Sequence, residues 1–331
     1  MNGSTLLKRM AKTREFALLL LLAALFLYFA FNVRGGLTAG NLGNLFDRTR
    51  HWAIPGMLAV PMTFIIATGG IDLSVASILA MAGMVLGLTW EKGEVNIWLA
   101  ALVGILAATI AGAINGLLSG KGKLAPLVVT LATMAAYRGL AMGMTQSEPI
   151  TNVPESFHVI GQGTLFGLPV QVYVWAIIVI IGLLMLHKMW IGPAVVAIGE
   201  NPRAAKFAAL PVDPILFGLY AFSGLVAGIA AAIYVGQYTG ANPNMETGLE
   251  LKVIACVIIG GTRITGGNAS LVGTTLGVLI IGMLEFDLDL ADFPTKYHPV
   301  VIGFLVIFAG VLNETLSNRT ARRRLFQPAT P

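Results

Sequence analysis

Long apolar stretches recur from one end of the chain to the other, separated by short polar or charged segments. They fall near 16–31, 51–68, 75–90, 97–118, 124–146, 170–190, 214–237, 249–262, 269–286 and 297–315. A helix needs about 20 apolar residues to cross the roughly 30 Å hydrocarbon core of a bilayer. The pattern predicts an all-α polytopic membrane helix bundle with about ten crossings. Two stretches, 75–90 and 249–262, are short enough to be broken or re-entrant. Backbone leaves the helix at membrane depth only where protein or a wet cavity satisfies its polar groups.

Composition and charge sharpen this. The 331 residues are 56% hydrophobic and only 11% charged, too few charges to cover a soluble surface of that size. The net charge of +5 sits largely at the ends, in Lys8, Arg9, Lys12 and Arg14 and in Arg319, Arg322, Arg323 and Arg324, which suits helix orientation better than nucleic acid. Segment 188–206 and the turn at Lys121 and Lys123 are also basic. Loops 147–169 and 238–248 lack Lys and Arg, and 287–296 carries Asp287, Asp289 and Asp292. Both termini in the cytoplasm satisfy these observations. The expected organisation is a cytoplasmic tail over 1–15, a membrane domain over 16–315 and a basic cytoplasmic tail over 316–331. Arg34, Arg48 and Arg50 fall outside under this count, which an interfacial or protein-packed stretch would accommodate. The basic start and the apolar run from Phe16 to Phe31 look like a secretion signal. No small-x-small cleavage site follows at Phe29-Ala30-Phe31-Asn32, so a retained span is expected.

Glycine is abundant, with 39 residues, and Gly83/Gly87, Gly112/Gly116, Gly224/Gly228 and Gly273/Gly277 are each spaced by four inside predicted spans. That spacing keeps small residues on one face and lets two backbones approach closely. Cys256 is the only cysteine, so an intrachain disulfide or a thiolate metal set is excluded, and a small core residue is expected. His51, His158, His187 and His298 are scattered, and neither His-Glu-x-x-His nor Gly-x-Ser-x-Gly occurs. No metal site and no enzymatic activity are expected.

Four stretches stand out. Gly69-Gly70-Ile71-Asp72-Leu73-Ser74 joins two apolar runs. Paired glycines end a helix, and Asp72 or Ser74 can cap the next. It is either a tight cytoplasmic turn or a broken helix on a translocation path, shaped by Asp72. Ile259 to Ser270 is a second glycine-rich elbow, with Gly260, Gly261, Gly266 and Gly267. It lacks the spacing of a phosphate loop, as does the whole chain, so ATP hydrolysis by this chain is not expected. In Gly199 to Pro211, Asn201 suits an N-cap, Pro202 the first helical position, and Pro211 with Pro214 a stop. Arg203, Lys206, Phe207 and Leu210 share one face of that helix, and Ala204, Ala205, Ala208 and Ala209 the other. The segment either rests on anionic lipid or docks as a knob in a groove of a cytoplasmic partner. Lastly, Thr130, Thr133 and Tyr137 form a polar stripe with Arg138 beside it. The threonines either bond their own helix or line a wall suited to an uncharged, hydroxyl-rich solute.

Together these stretches resemble the membrane-spanning subunits of bacterial ABC importers for simple sugars, of the ribose, xylose, rhamnose and autoinducer-2 type. The resemblance runs through roughly 50–315. It rests on Gly69–Val75, on Val129-Thr130-Leu131-Ala132-Thr133 with Tyr137-Arg138-Gly139, on Ala197–Ala205, and on Gly248-Leu249-Glu250 through Gly277. It implies a paired permease of two copies or two related chains, two cytoplasmic ATPase subunits, a periplasmic solute-binding protein, and an inner-membrane location. ATP and Mg would sit on the ATPase subunits, with no cofactor on this chain. It also implies that Gly199, Glu200, Asn201, Pro202, Arg203, Ala205, Lys206, Phe207 and Leu210, within a cytoplasmic segment 191–212, couple to the ATPase. Gly69, Gly70, Asp72 and Ser74 would belong to the translocation path, with Asn115, Thr130, Thr133 and Tyr137. The chain departs from the pattern at Ala76, Ala132, Ala209 and Ala269, where glycine is common, and at Lys252 and Arg263, often acidic or small. Two stretches, Leu186-His187-Lys188 and Ala209–Val212, lean toward the autoinducer-2 or rhamnose branches. The competing readings are a stand-alone secondary transporter, which would need intramembrane titratable pairs, and an ABC permease for amino acids, which would need fixed charges on its path.

Overall fold

The computed structural model describes residues 14–32, 38–307 and 310. The helices are α1 (Arg14–Asn32), α2 (Ala39–Ala67), α3 (Val75–Glu91), α4 (Ile97–Ser119), α5 (Pro126–Gly143), α6 (Glu155–Gln162), α7 (Val170–His187), α8 (Ile191–Glu200), α9 (Pro202–Phe207), α10 (Val212–Tyr238), α11 (Leu249–Gly260) and α12 (Leu271–Leu290). A 3₁₀ turn, Thr295–Tyr297, then leads into α13 over 298–307. Four two-residue strands pair antiparallel in the loops, β1 (Ile150–Thr151) with β4 (Gly240–Ala241) and β2 (Thr164–Leu165) with β3 (Leu168–Pro169). Each apolar stretch of the sequence carries a helix. Five of them, α1, α4, α7, α10 and α12, are long and apolar enough to cross a membrane. The basic tails and the end of the last predicted span lie outside the described residues.

Residues 52–67 of α2 are all buried, so this helix forms the centre of the bundle, as a helix apolar on every side must. It begins at Ala39, well before the apolar run, because its first turns are polar and Thr38 caps them through Asn41 N at 3.3 Å. The most extensive packing is between α4 and α10. A Cβ on Gly112 would collide with the Tyr220 carbonyl oxygen, and one on Gly224 with that of Ala108. Gly277 likewise meets the Cys256 carbonyl across the α11–α12 hairpin. The fourth pair does something else: Gly83 receives the Met245 side chain and Gly87 that of Ile150, both from loops.

With 12 residues, α11 is about 18 Å long, well short of a hydrocarbon core. The loop before it makes up the depth by folding into the bundle, where Ala241 and Met245 are buried. Arg138 pins it, donating through Nη1 to the carbonyls of Pro243 at 2.8 Å and Met245 at 3.1 Å. The stripe's arginine is therefore a loop clamp.

The connecting segments sort into two ends, as their charges imply. One end gathers 147–169 and 238–248 through the β1–β4 pair. It also holds the two arginines that disturbed the charge pattern. Arg50 donates to the Gly161 carbonyl at 2.8 Å and pairs with Asp47 at 2.8 Å. Arg48 lies 3.2 Å from Asp289 and 5.3 Å over the Phe286 ring. Both are held by protein, and Arg34 falls outside the described residues. At the opposite end the two glycine elbows meet segment 199–210.

Candidate functional site

The segment after α8 folds as its residues dictate. Asn201 leaves the helical region with φ −160° and ψ 98°, and its Oδ1 accepts from the amides of Arg203 at 3.1 Å and Ala204 at 3.0 Å. Pro202 follows at the first turn. This α9 is only six residues long, so the predicted face is cut short. Arg203, Lys206 and Phe207 are exposed, and the Phe207 ring is 92% accessible, an unusual state for so large an apolar group. Ala205 turns inward and is buried. Leu210 lies past the helix end and packs against the core, off the exposed face. Lys206 is tied back to the start of α10 by a 2.9 Å ion pair with Asp213.

The turn that ends α9 places Ala209 at φ +60°, with Leu210 N donating to the Ala205 carbonyl at 3.1 Å. This is the left-handed helix cap that favours glycine. Ala209→Gly is expected to stabilise the protein by about 0.5–1 kcal/mol, since an L side chain pays steric strain in that conformation. Thermal unfolding in detergent reads this out.

Gly199 and Glu200 do not belong to the exposed tip. A Cβ on Gly199 would collide with the Ala67 carbonyl oxygen and with Gly267 N. Gly267 N in turn donates to that same carbonyl at 2.9 Å. A Cβ on Gly266 would lie 2.9 Å from Gly69 N, and the Glu200 side chain covers Gly267. Gly69, Gly266 and Gly267 all have positive φ, at +84°, +85° and +78°. Three turns far apart in sequence therefore meet backbone against backbone directly behind α9. Arg14 extends the junction, its Nη2 donating to the carbonyls of Ile258 at 3.0 Å and Ile259 at 3.1 Å at the end of α11. Ser270 caps α12 through Gly273 N at 3.1 Å.

Next to the junction lies a polar knot. Asp72 is fully buried; its Oδ1 accepts from Ser74 N at 3.0 Å and Ser74 Oγ at 2.6 Å, and its Oδ2 from Ser223 Oγ at 2.9 Å. Asn115 Nδ2 donates to Ser74 Oγ at 2.8 Å, and Thr130 Oγ1 to the Ile71 carbonyl at 2.9 Å. Asp72 thus shapes the break before α3, while Ser74 makes no side-chain cap. The structure joins Gly70, Asp72, Ser74, Asn115 and Thr130, and closes them inside one chain. The rest of the stripe is not a free hydroxyl wall. Thr133 donates to the Val129 carbonyl of its own helix at 3.0 Å, and Tyr137 to the Ala111 carbonyl at 3.0 Å. Sequence reasoning missed Ser223, whose one signal was a lone hydroxyl beside Gly224, and Asp213 and Arg14, whose partners are remote. Asp72→Ala is expected to destabilise the protein by about 2–4 kcal/mol, because it leaves both serines buried without an acceptor. Denaturation in detergent compared with wild type measures it.

The bundle thus carries an exposed aromatic tip seated directly on its interior turns. Comparison of sequences narrows the class. The chain belongs to the family described as branched-chain amino acid transport system / permease component, whose profile matches residues 44–310. It is similar to the ribose import permease protein RbsC of Bacillus subtilis (strain 168), 38% identical over 276 residues, which is 83% of this chain and 85% of that protein. Escherichia coli (strain K12) RbsC is 33% identical over 272 residues, 81% of this chain and 84% of that one. The autoinducer 2 import system permease protein LsrD of Escherichia coli O9:H4 (strain HS) is 33% identical over 273 residues, 81% and 82% of the two chains. No solved structure matches the chain.

Proposed function

We propose that this chain is the membrane-spanning subunit of a binding-protein-dependent ABC importer in the inner membrane, and that it passes a simple sugar or autoinducer-2. It crosses about ten times, with both termini in the cytoplasm. A second permease, two cytoplasmic ATPase subunits and a periplasmic binding protein complete the machine, and ATP is hydrolysed on the partners rather than here. Phe207 carries this reading: an accessible ring between Arg203 and Lys206, at the tip of a capped helix, needs a partner to cover it. The solute class is supported by the relatives, which import ribose and autoinducer 2 by their names. The family's description names branched-chain amino acids instead. A zwitterion would need free fixed charges, and Asp72 offers none, being engaged by Ser74 and Ser223.

The test is reconstitution in vesicles. Uptake is expected only with ATPase subunits, binding protein and ATP present; full uptake by this chain alone under a proton gradient would sink the reading. Sidedness has its own check. A Phe207→Cys variant should react with a membrane-impermeant maleimide from the cytoplasmic side, and labelling from the periplasmic side would reverse the topology.

A further inference from the structure

We infer that the permease itself holds its sugar in transit, in the cavity beside the short helix α11. This rests on the sugar-import reading and adds a place and a set of groups to it. The loop before α11 dips into the bundle, and irregular backbone at that depth is tolerated where it lines a cavity. Here it does: Glu246 on the loop, Lys252 and Ile254 on α11, Glu285 on α12, and Ile302 and Gly303 on α13 wall a space of about 700 Å³. Discontinuous helices are where membrane transporters build solute sites.

The polar wall carries the Lys252 ammonium, the carboxylates of Glu246 and Glu285, the His298 ring and the hydroxyls of Thr247 and Thr295. Lys252 Nζ lies 2.6 Å from Glu285 Oε2, with both side chains 23% exposed, and Glu246 is close enough to interact electrostatically with both. Acceptor oxygens are therefore in excess, which suits a neutral ligand rich in hydroxyl donors and disfavours an anion. An amino-acid zwitterion would have to pull the Lys252–Glu285 pair apart. The facing wall, with Ile254 and Ile302, is apolar and matches the C–H face of a sugar ring. Sugar hydroxyls donate to Glu246 and Glu285, and a sugar oxygen accepts from Lys252.

Gly303 gives a direct test, because a Cβ there would meet nothing within 4 Å. Gly303→Phe sets a ring on the wall of the cavity, and Glu246→Gln weakens an acceptor while leaving both members of the Lys252–Glu285 pair in place. Both are assayed in the assembled importer with radiolabelled D-ribose, D-xylose, L-rhamnose and L-leucine. Each variant is expected to lower uptake of the transported sugar about tenfold or more, the effect of one lost charge-assisted hydrogen bond or of lost space. Subunit assembly and ATP hydrolysis stimulated by binding protein should stay at wild-type level. Wild-type uptake by either variant would overturn the assignment of the group it alters. Loss of permease pairing in Gly303→Phe would overturn the site, making the cavity an interface. Uptake of leucine and no sugar by the wild-type importer would overturn it through the solute class alone. If the wild type with all its partners moves none of the four, the import reading falls and takes this inference with it.

Discussion

Phe207→Asp is expected to abolish co-purification of the ATPase subunits while the permease inserts and folds normally. The ring is 92% accessible, so its removal takes nothing from the fold. Helix α9 is held by Asn201, Pro202 and the Lys206–Asp213 pair, none of which the change touches. Covering a phenylalanine contributes about 2–3 kcal/mol to binding, and central aromatic anchors exceed 2 kcal/mol on truncation. An aspartate adds an unpaired charge to a desolvated pocket, so the total loss should pass about 3 kcal/mol, over a hundredfold in affinity. Arg203→Glu is the companion variant, since reversing Lys206 would also break its bond to Asp213. Recovery of ATPase subunits at wild-type level from both would remove the docking role.

The helices themselves were legible because hydrocarbon-length apolar runs leave a strong periodic trace. So were the elbow glycines, the Asn201 cap and the close-packed pair Gly112 and Gly224, since each is set by local geometry or fixed spacing. What could not be read were the partners of isolated charges. Arg48, Arg50 and Arg138 read as a topological anomaly or interfacial residues, yet each is satisfied by a residue or carbonyl more than 100 positions away. Arg14 read as part of a basic tail and instead caps the end of α11. The polar start of α2 was missed because an amphipathic stretch lowers mean hydropathy without ending a helix. The convergence of the elbows was also invisible: two glycine-rich turns and the segment 199–210 carry no code for meeting one another.

That convergence sets up the other large effect. Gly199→Val is expected to abolish transport and to destabilise the permease by about 3 kcal/mol or more, the magnitude of forced overpacking in a tight core. A side chain there must push away the Ala67 carbonyl and Gly267, and so break the 2.9 Å bond between the end of α2 and the second elbow. Gly218→Ala is the control. It lies on the exposed face of α10 with nothing within 4 Å of a Cβ, and should be neutral or gain up to about 1 kcal/mol of helix stability. The contrast matters because Gly199 sits between the tip and everything that could open. Two residues back from the Asn201 cap it packs against Ala67 and Gly267; Gly69 follows, then Gly70, where a Cβ would lie 3.0 Å from the Tyr220 hydroxyl, then Asp72 and its serines. Motion imposed on α9 has no compressible layer to dissipate in where Gly199, Ala67, Gly266, Gly267 and Gly69 meet backbone to backbone. The milder Gly199→Ala should therefore separate the two activities. Its complexes are expected to assemble and hydrolyse ATP while uptake per ATP falls, and an unchanged ratio would mean that force from the ATPase reaches the elbows by some other route.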